Sequence, residues 1–313
     1  MRCIVTGGAG FIGSHLTDRI VSEGGEVLVV DSLITGSLEN LTAARTRYPG
    51  KVSFHQIDIR DRSLTEVFRS FRPDAVVHLA AQASVAVSVR DPLLDAEVNI
   101  VGTLNVLEAA VAGGARRAVL AASGGAMYGE YPKPPAPESA PRRPQSPYGI
   151  SKSVGELYAG FYERHHGLAV PSMALANVYG PRQDPFGEGG VVAIFTGRML
   201  ADEQATIFGD GTDTRDYVYV EDVVDGFSRA LTCGTGVINI GTGSETSTNE
   251  VHEVVAAATG CTRTPRHGPP RAGDLRRSAV DWRRARTELG WEPFTSLPEG
   301  IALTVDWFRA RHS

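Results

Sequence analysis

The sequence predicts an α/β protein, a doubly wound parallel sheet followed by a smaller, discontinuous C-terminal lobe. Three observations carry that expectation. Short β-branched apolar runs alternate with amphipathic helical stretches through the first half of the chain. A glycine-rich turn, Gly7-Gly8-Ala9-Gly10-Phe11-Ile12-Gly13, joins the first such run to the first helix. Beyond about residue 170 the alternation becomes irregular, as in a chain that leaves its main sheet and partly returns.

Taken in order, the strand-like runs are Cys3–Thr6, Val27–Val30, Val52–Ile57, Ala75–Leu79 and Ala118–Ala122. They read as apolar throughout, as parallel strands covered on both faces do. Helical patterns lie between them, Pro92–Ala112 among them, and βαβ order implies right-handed crossovers. The proline-dense stretch from Pro132 to Pro147 is a loop between a strand's carboxyl end and a helix carrying Tyr148. Ala174–Val178 is strand-like, followed by a glycine-rich loop, a helix near Val191–Ala201 and a short strand Ala205–Phe208. Tyr217–Val220 and Val237–Ile240 are expected to return partly to the large sheet. The division is a dinucleotide-binding domain over 1–170, with returning segments near 215–240, and a substrate lobe over 171–313.

Composition removes several function classes. The 313 residues are 42% hydrophobic and 21% charged, ordinary for a soluble globular protein. A formal charge of −5 argues against a polyanion-binding surface, so no nucleic-acid partner is expected. No run of ~18 apolar residues exists to span a membrane. The first strand begins at once, which leaves no room for a signal peptide. Cys3, Cys233 and Cys261 are scattered and odd in number; they fit reduced thiols in a cytoplasm, with no disulfide framework and no metal site.

The glycines fit both Gly8-x-Gly10-x-x-Gly13 and Gly7-x-x-Gly10-x-x-Gly13. A strand before, a helix after, and Asp31 at the end of the second strand supply the context that makes such a match informative. The Asp31 carboxylate can accept both hydroxyls of an adenosine ribose and would repel a 2′-phosphate, which favours NAD over NADP. Asp58-Ile59 and Leu79-Ala80-Ala81 lie at later strand ends, where open α/β sheets bind ligands. Tyr148 and Lys152 stand one helical turn apart on one face. A lysine near a tyrosine favours phenolate, so the pair reads as a base for hydride chemistry at an alcohol carbon.

Taken together, Thr6–Gly13, Asp31, Asp58, His78-Leu79-Ala80-Ala81, Tyr128-Gly129, Ser146-Pro147-Tyr148-x-x-x-Lys152, Asn177-Val178-Tyr179-Gly180-Pro181 and Arg215-Asp216-Tyr217-Val218 resemble the extended short-chain dehydrogenase/reductases, which bind NAD on a Rossmann fold. Within them the chain is most similar to UDP-glucose 4-epimerases. The resemblance implies reversible C4 epimerisation of a UDP-hexose through a transient 4-keto sugar with tightly held NAD. It assigns Tyr148 as acid/base, with Lys152 on the nicotinamide ribose, and gives the turn residues Gly7, Gly10, Phe11, Ile12 and Gly13 to the cofactor. Asn177, Arg215 and Arg271 are assigned to the substrate diphosphate, Asp274 to the nucleotide ribose, Phe208 to the base, and Ser278 to the position that gates the sugar 2-substituent. It also implies a homodimer through the helices matching Pro92–Ala112 and Tyr148–His166; an outer apolar stripe there, Val101, Leu104 and Ala109, is equally expected of simple core packing.

The chain departs from that pattern where the family carries a catalytic Ser or Thr, four residues before the Tyr of the Tyr-Gly pair. Gly124 stands there, and Ser123 is the neighbouring hydroxyl, either a substitute or a strand-end side chain bonded to backbone. The positions at which sugar-nucleotide dehydratases carry an acidic pair are Gly125 and Ala126, which cannot move a proton. Ala174 replaces a frequent arginine. Alternative substrates are UDP-glucuronate, with Arg182 and Gln183 near its carboxylate, UDP-GlcNAc, or a dTDP-hexose. A non-catalytic NAD-binding sensor is the alternative of another class, and the intact Tyr148/Lys152 pair argues against it.

Overall fold

Alternate residues of the first strand point to opposite faces, and both faces are apolar: Cys3 and Val5 enter one buried cluster, Ile4 the other. Such a strand is stable only with helices on both sides, and that is what the computed structural model shows. It describes residues 1–186, 190–271 and 274–312. The strands are β1 (Arg2–Thr6), β2 (Glu26–Asp31), β3 (Val52–Gln56), β4 (Ala75–His78), β5 (Arg117–Ser123), β6 (Ser172–Leu175), β7 (Asn177–Tyr179), β8 (Thr206–Phe208), β9 (Thr214–Arg215), β10 (Tyr217–Tyr219), β11 (Val237–Ile240), β12 (Thr246–Ser247), β13 (Arg266–Gly268) and β14 (Arg277–Ser278). Seven of them form one parallel sheet in the order β11-β6-β5-β4-β1-β2-β3. The order reverses between β1 and β4, and the crevice beyond their carboxyl ends is where such sheets bind ligands.

The helices are α1 (Phe11–Ser22), α2 (Thr42–Arg47), α3 (Leu64–Phe71), α4 (Val85–Arg90), α5 (Pro92–Ala96), α6 (Gly102–Ala112), α7 (Gly124–Tyr128), α8 (Pro147–His166), α9 (Val191–Leu200), α10 (Val220–Ala230), α11 (Thr248–Thr259), α12 (Arg283–Leu289) and α13 (Leu297–His312). The start of α8 is fixed locally. The Ser146 side chain accepts from the Gly149 amide at 3.2 Å, Pro147 opens the first turn, and Gly167 ends the helix in the left-handed region.

Four expectations need correcting. The run Val52–Ile57 is not covered on both faces: β3 is the sheet edge, and Ser53, His55 and Gln56 are exposed. Ala174–Val178 is not one strand; it splits at Ala176 into β6 in the main sheet and β7 in a separate ladder with β10. Tyr217–Tyr219 therefore does not rejoin the large sheet, whereas Val237–Ile240 does, as its edge strand. The helix Pro92–Ala112 is interrupted by a π-helical turn, Glu97–Val101. No helix among the described residues is long and apolar enough to cross a membrane.

The proline-dense loop is tied to the later chain. Tyr128 donates to Asn239 Oδ1 at 2.7 Å, and Asn239 Nδ2 donates to the carbonyls of Ala136 and Asp281 at 3.0 and 3.1 Å. Arg142 grips Glu156 of α8 through two bonds of 2.8 Å.

Candidate active site at the strand carboxyl ends

The glycine turn is built so that backbone meets backbone. Gly7 has φ +71°, and a Cβ there would sit 2.7 Å from the Ala80 amide nitrogen. A Cβ on Gly13 would collide with the Gly7 carbonyl oxygen. Gly10 caps α1 without any side-chain hydrogen bond, which leaves the first amides of the helix, at Phe11, Ile12 and Gly13, free of a capping side chain, the arrangement that suits an anion. Asp31 accepts from the Ala9 amide at 3.0 Å and the Leu33 amide at 2.8 Å, and the glycine at position 36 keeps the space beside its oxygens free of a Cβ. These features fit a dinucleotide pyrophosphate and ribose. Further along, Asp58 is held by Arg60, whose hydrogen bonds keep its carboxyl below the usual carboxylate range. Ile59 is buried, its carbonyl bound by Asn105 Nδ2 at 2.7 Å. Leu79 donates to the Thr6 carbonyl at 3.1 Å, and Ala80 and Ala81 follow it half-buried at the end of β4.

Beneath this end lies His78, buried between Thr6 Oγ1 at 2.7 Å and Thr103 Oγ1 at 3.0 Å. Thr103 already donates to the Asn99 carbonyl, so it accepts from His78 Nε2, and Thr6 donates to Nδ1. The ring is neutral in that arrangement, and burial pushes its pKa down to about 3.

Tyr148, Lys152 and Ser123 come together, with one correction. Lys152 does not lower the phenol: Nζ donates to the Ala121 carbonyl at 3.1 Å and lies 5.7 Å from the Tyr148 ring centre. Burial pushes Tyr148 up to about 12, with a Ser123 hydrogen bond acting the other way. Burial likewise brings Lys152 down to about 8. Ser123 is the last residue of β5 and the N-cap of α7, accepting from Ala126 at 3.4 Å. The chain has already turned helical at Gly124, so strand alternation does not govern which way Ser123 faces. A Cβ on Gly124 would meet Val280 Cγ1 at 2.5 Å, with the Ala174 and Leu175 carbonyl oxygens next at 3.4 and 3.5 Å. A Cβ on Gly125 would lie 3.2 Å from Ser278 Oγ. Ala174 is buried in an apolar cluster with Ala122, Met127 and Val237.

Ser278 pairs in register with Arg215, which donates to the Thr214 carbonyl at 2.8 Å. Asn177 is exposed at the start of β7. Phe208 and Arg271 meet, the guanidinium 4.0 Å from the ring centre, and Asp274 is exposed just beyond. Arg182 and Gln183 are engaged elsewhere: Arg182 bonds Asp18 at 2.6 Å and Gln183 donates to the Val178 carbonyl at 3.1 Å. Of the outer stripe, Val101 is exposed, Leu104 is half-buried and Ala109 is fully buried core, because Ala109 faces the sheet side of α6.

Sequence reasoning missed Asp95, which is fully buried beside this site with Gln82, Asn99 and Ser151 as partners. A carboxylate and an amide four residues apart on an otherwise apolar helix face were the available signal.

The profile of the family described as GDP-mannose 4,6 dehydratase matches residues 4–304. The chain is 50% identical over 311 residues to a UDP-glucose 4-epimerase of Mycolicibacterium smegmatis, covering 99% of each. It superposes with a TM-score of 0.96 on a Thermotoga maritima UDP-glucose 4-epimerase with UDP-glucose, at 47% identity and covering 100% of both chains. A Thermus thermophilus UDP-glucose 4-epimerase in complex with NAD matches at 0.92, with 46% identity over 99% of each chain.

Proposed function

The chain belongs to the extended short-chain dehydrogenase/reductases, in their NAD-dependent epimerase/dehydratase branch, and from that premise we propose that it is a reversible UDP-hexose 4-epimerase. The observation that carries this reading is the Tyr148–Ser123 pair beside small residues: Gly125 and Ser278 leave a sugar room to turn, and no side-chain acid stands at Gly125 or Ala126 for the elimination that a dehydratase performs. The amides of Phe11, Ile12 and Gly13 would hold the pyrophosphate of NAD and Asp31 its ribose, with Asp58 and Ile59 toward the adenine. When bound, the oxidised nicotinamide supplies a positive charge and a carbon that takes and returns hydride.

Tyr148 takes the proton of the sugar 4-hydroxyl and gives it back on the other face after the 4-keto sugar has swung. Because burial, with the Asp95 charge behind it, holds this phenol high, a cationic neighbour is required for it to act near neutral pH. Ser123 orients the phenol and the sugar oxygen. Arg215, Arg271 and Asn177 bind the diphosphate, Phe208 the base and Asp274 the nucleotide ribose.

A second reading keeps the reaction and enlarges the sugar. The small side chain of Ser278 favours room for an N-acetyl group, and a UDP-N-acetylglucosamine 4-epimerase of Methanobrevibacter ruminantium superposes at a TM-score of 0.93 with 30% identity. For UDP-glucuronate, Arg182 and Gln183 each commit one donor within the protein, to Asp18 and to the Val178 carbonyl. We also assign a homodimer, supported by exposed Val89, Leu93, Val101, Leu157 and Phe161 on adjoining helices, a cytoplasmic setting suited to three free cysteines, and the division into a domain over 1–170 with returning segments and a lobe over 171–313.

The test incubates UDP-galactose with purified protein and no added NAD. Interconversion with UDP-glucose is expected, together with NAD in the denatured supernatant. NADP there, or no interconversion, overturns the reading. Light scattering decides the dimer, which Leu157→Glu should dissociate.

A further inference from the structure

Asp95 of α5 is completely buried and holds three neutral donors: Gln82 Nε2 at 2.9 Å and Asn99 Nδ2 at 2.8 Å on one oxygen, Ser151 Oγ at 2.6 Å on the other. Among the described residues, none of the ion pairs or hydrogen bonds to it comes from a cation. A buried carboxylate without an ion-pair partner is costly unless its charge has work to do nearby. Ser151 immediately precedes Lys152, so this lock ties the carboxylate to the catalytic helix, and its charge acts on the buried Lys152 amine. We propose that Asp95 is a positioning residue that sets the charge state of the Tyr148–Lys152 pair, its locked carboxylate serving as the counter-charge that keeps Lys152 protonated in a dry site.

The inference rests on the catalytic reading of Tyr148. Burial pulls the lysine down to about 8 while the Asp95 charge acts upward, and the same charge raises the phenol. Other groups around the pair are already settled. His78 of β4 is neutral, Glu97 pairs with Arg60 at 3.5 Å, Glu156 pairs with Arg142, Asp91 caps α5, and Arg90 is exposed. Removing the charge should therefore lower both pKa values together.

The chain has only three lysines, Lys51, Lys133 and Lys152, so NMR of lysine-labelled protein resolves each one. Assignment uses Lys51→Arg and Lys133→Arg. In Asp95→Asn the amide oxygen still accepts from Gln82 and Asn99, and its nitrogen donates to Ser151 Oγ, so geometry is kept and charge is lost. We expect the Lys152 midpoint to fall by on the order of half a pH unit or more. The pH profile of kcat/KM should move to lower pH as a whole. Ser151→Ala, which keeps the charge, should leave both in place. An unmoved Lys152 midpoint in Asp95→Asn, or an equal shift in Ser151→Ala, overturns the proposal. If Asp95→Asn does not fold, Asp95→Ser, smaller and neutral, is read in the same way. The lysine titration needs no turnover, so it fails independently of the epimerase reading.

Discussion

The two ends of the active-site crevice use glycine differently. At the cofactor end, a methyl group on Gly7 or Gly13 would run into backbone: the Ala80 amide in one case, the Gly7 carbonyl in the other. At the sugar end, the first atoms a methyl on Gly124 or Gly125 would meet belong to side chains, Val280 Cγ1 at 2.5 Å and Ser278 Oγ at 3.2 Å, and the nearest backbone, the Ala174 carbonyl oxygen, lies at an ordinary 3.4 Å from the methyl on Gly124. Backbone within a strand–turn–helix cannot retreat without dismantling the sheet; a valine methyl or a serine hydroxyl can rotate. The cofactor end is therefore fixed in shape, while the sugar end can change its pocket one residue at a time. That contrast accounts for a family in which one cofactor serves several sugar chemistries.

The largest effect should come from the group at the junction of the two ends. Tyr148→Phe is expected to keep NAD and nucleotide sugar yet lose roughly two to four orders of magnitude in turnover; near-normal rates would place proton transfer elsewhere. Next is a direct comparison of glycines by thermal unfolding and NAD content. Gly13→Ala should lose at least ~1–3 kcal/mol of stability and most bound cofactor, whereas Gly125→Ala should stay close to wild type. Equal losses would break the contrast. Ser278→Tyr sharpens it from the other side: the rate with UDP-GalNAc relative to UDP-Gal should drop about 10- to 100-fold, as overpacking of ~1–3 kcal/mol implies. An unchanged ratio would mean that Ser278 does not gate the pocket.

Below the cofactor end, His78 makes a pH prediction. Its pKa falls from an ordinary 6.5 to about 3 on folding, so below pH 6.5 the unfolded chain binds a proton that the folded one refuses. Stability is therefore intact above 6.5 and lost as pH falls toward 3, at about 1.4 kcal/mol per pH unit. Urea unfolding of wild type and His78→Asn at several pH values should show a shallower acid slope in the variant. The smallest effect is at Ser123. Ser123→Ala should slow turnover about tenfold or less, the worth of one hydrogen bond. Gly124→Ser should give no rescue, because its side chain would enter the Val280 contact.

Much of this was legible in the sequence because it depends on short-range rules. The glycine turn, Asp31 and the proline-dense loop are local, and they stand where the residue pattern placed them. The proposed catalytic group Tyr148, Lys152 and Ser123 was also readable, but its electrostatics were not: a helical spacing says two side chains share a face, not that burial will outweigh the lysine. Strand alternation could not decide which way Ser123 faces, because β5 ends there and the next residue is already helical. Asp95 was invisible for a similar reason. Its significance lies in partners from three separate segments, at Gln82, Asn99 and Ser151, and only the fold brings them together.

The stitching of the proline-dense loop has a consequence for how the molecule comes into being. A ribosome delivers this chain from its amino end, and domains begin to fold as they emerge. The strands β1 to β5 and the glycine turn are complete once Ser123 has been made. The loop leading to Tyr148 has no such independence: Tyr128 waits for Asn239, and Ala136 pairs with Val280, more than a hundred residues later. A nascent or truncated chain can thus display a nucleotide cradle while its proton-transfer helix still lacks an anchored approach. In the order of synthesis the segments that build the glycine turn therefore come first, and the partners that anchor the approach to the proton-transfer helix come in the last quarter of the polypeptide.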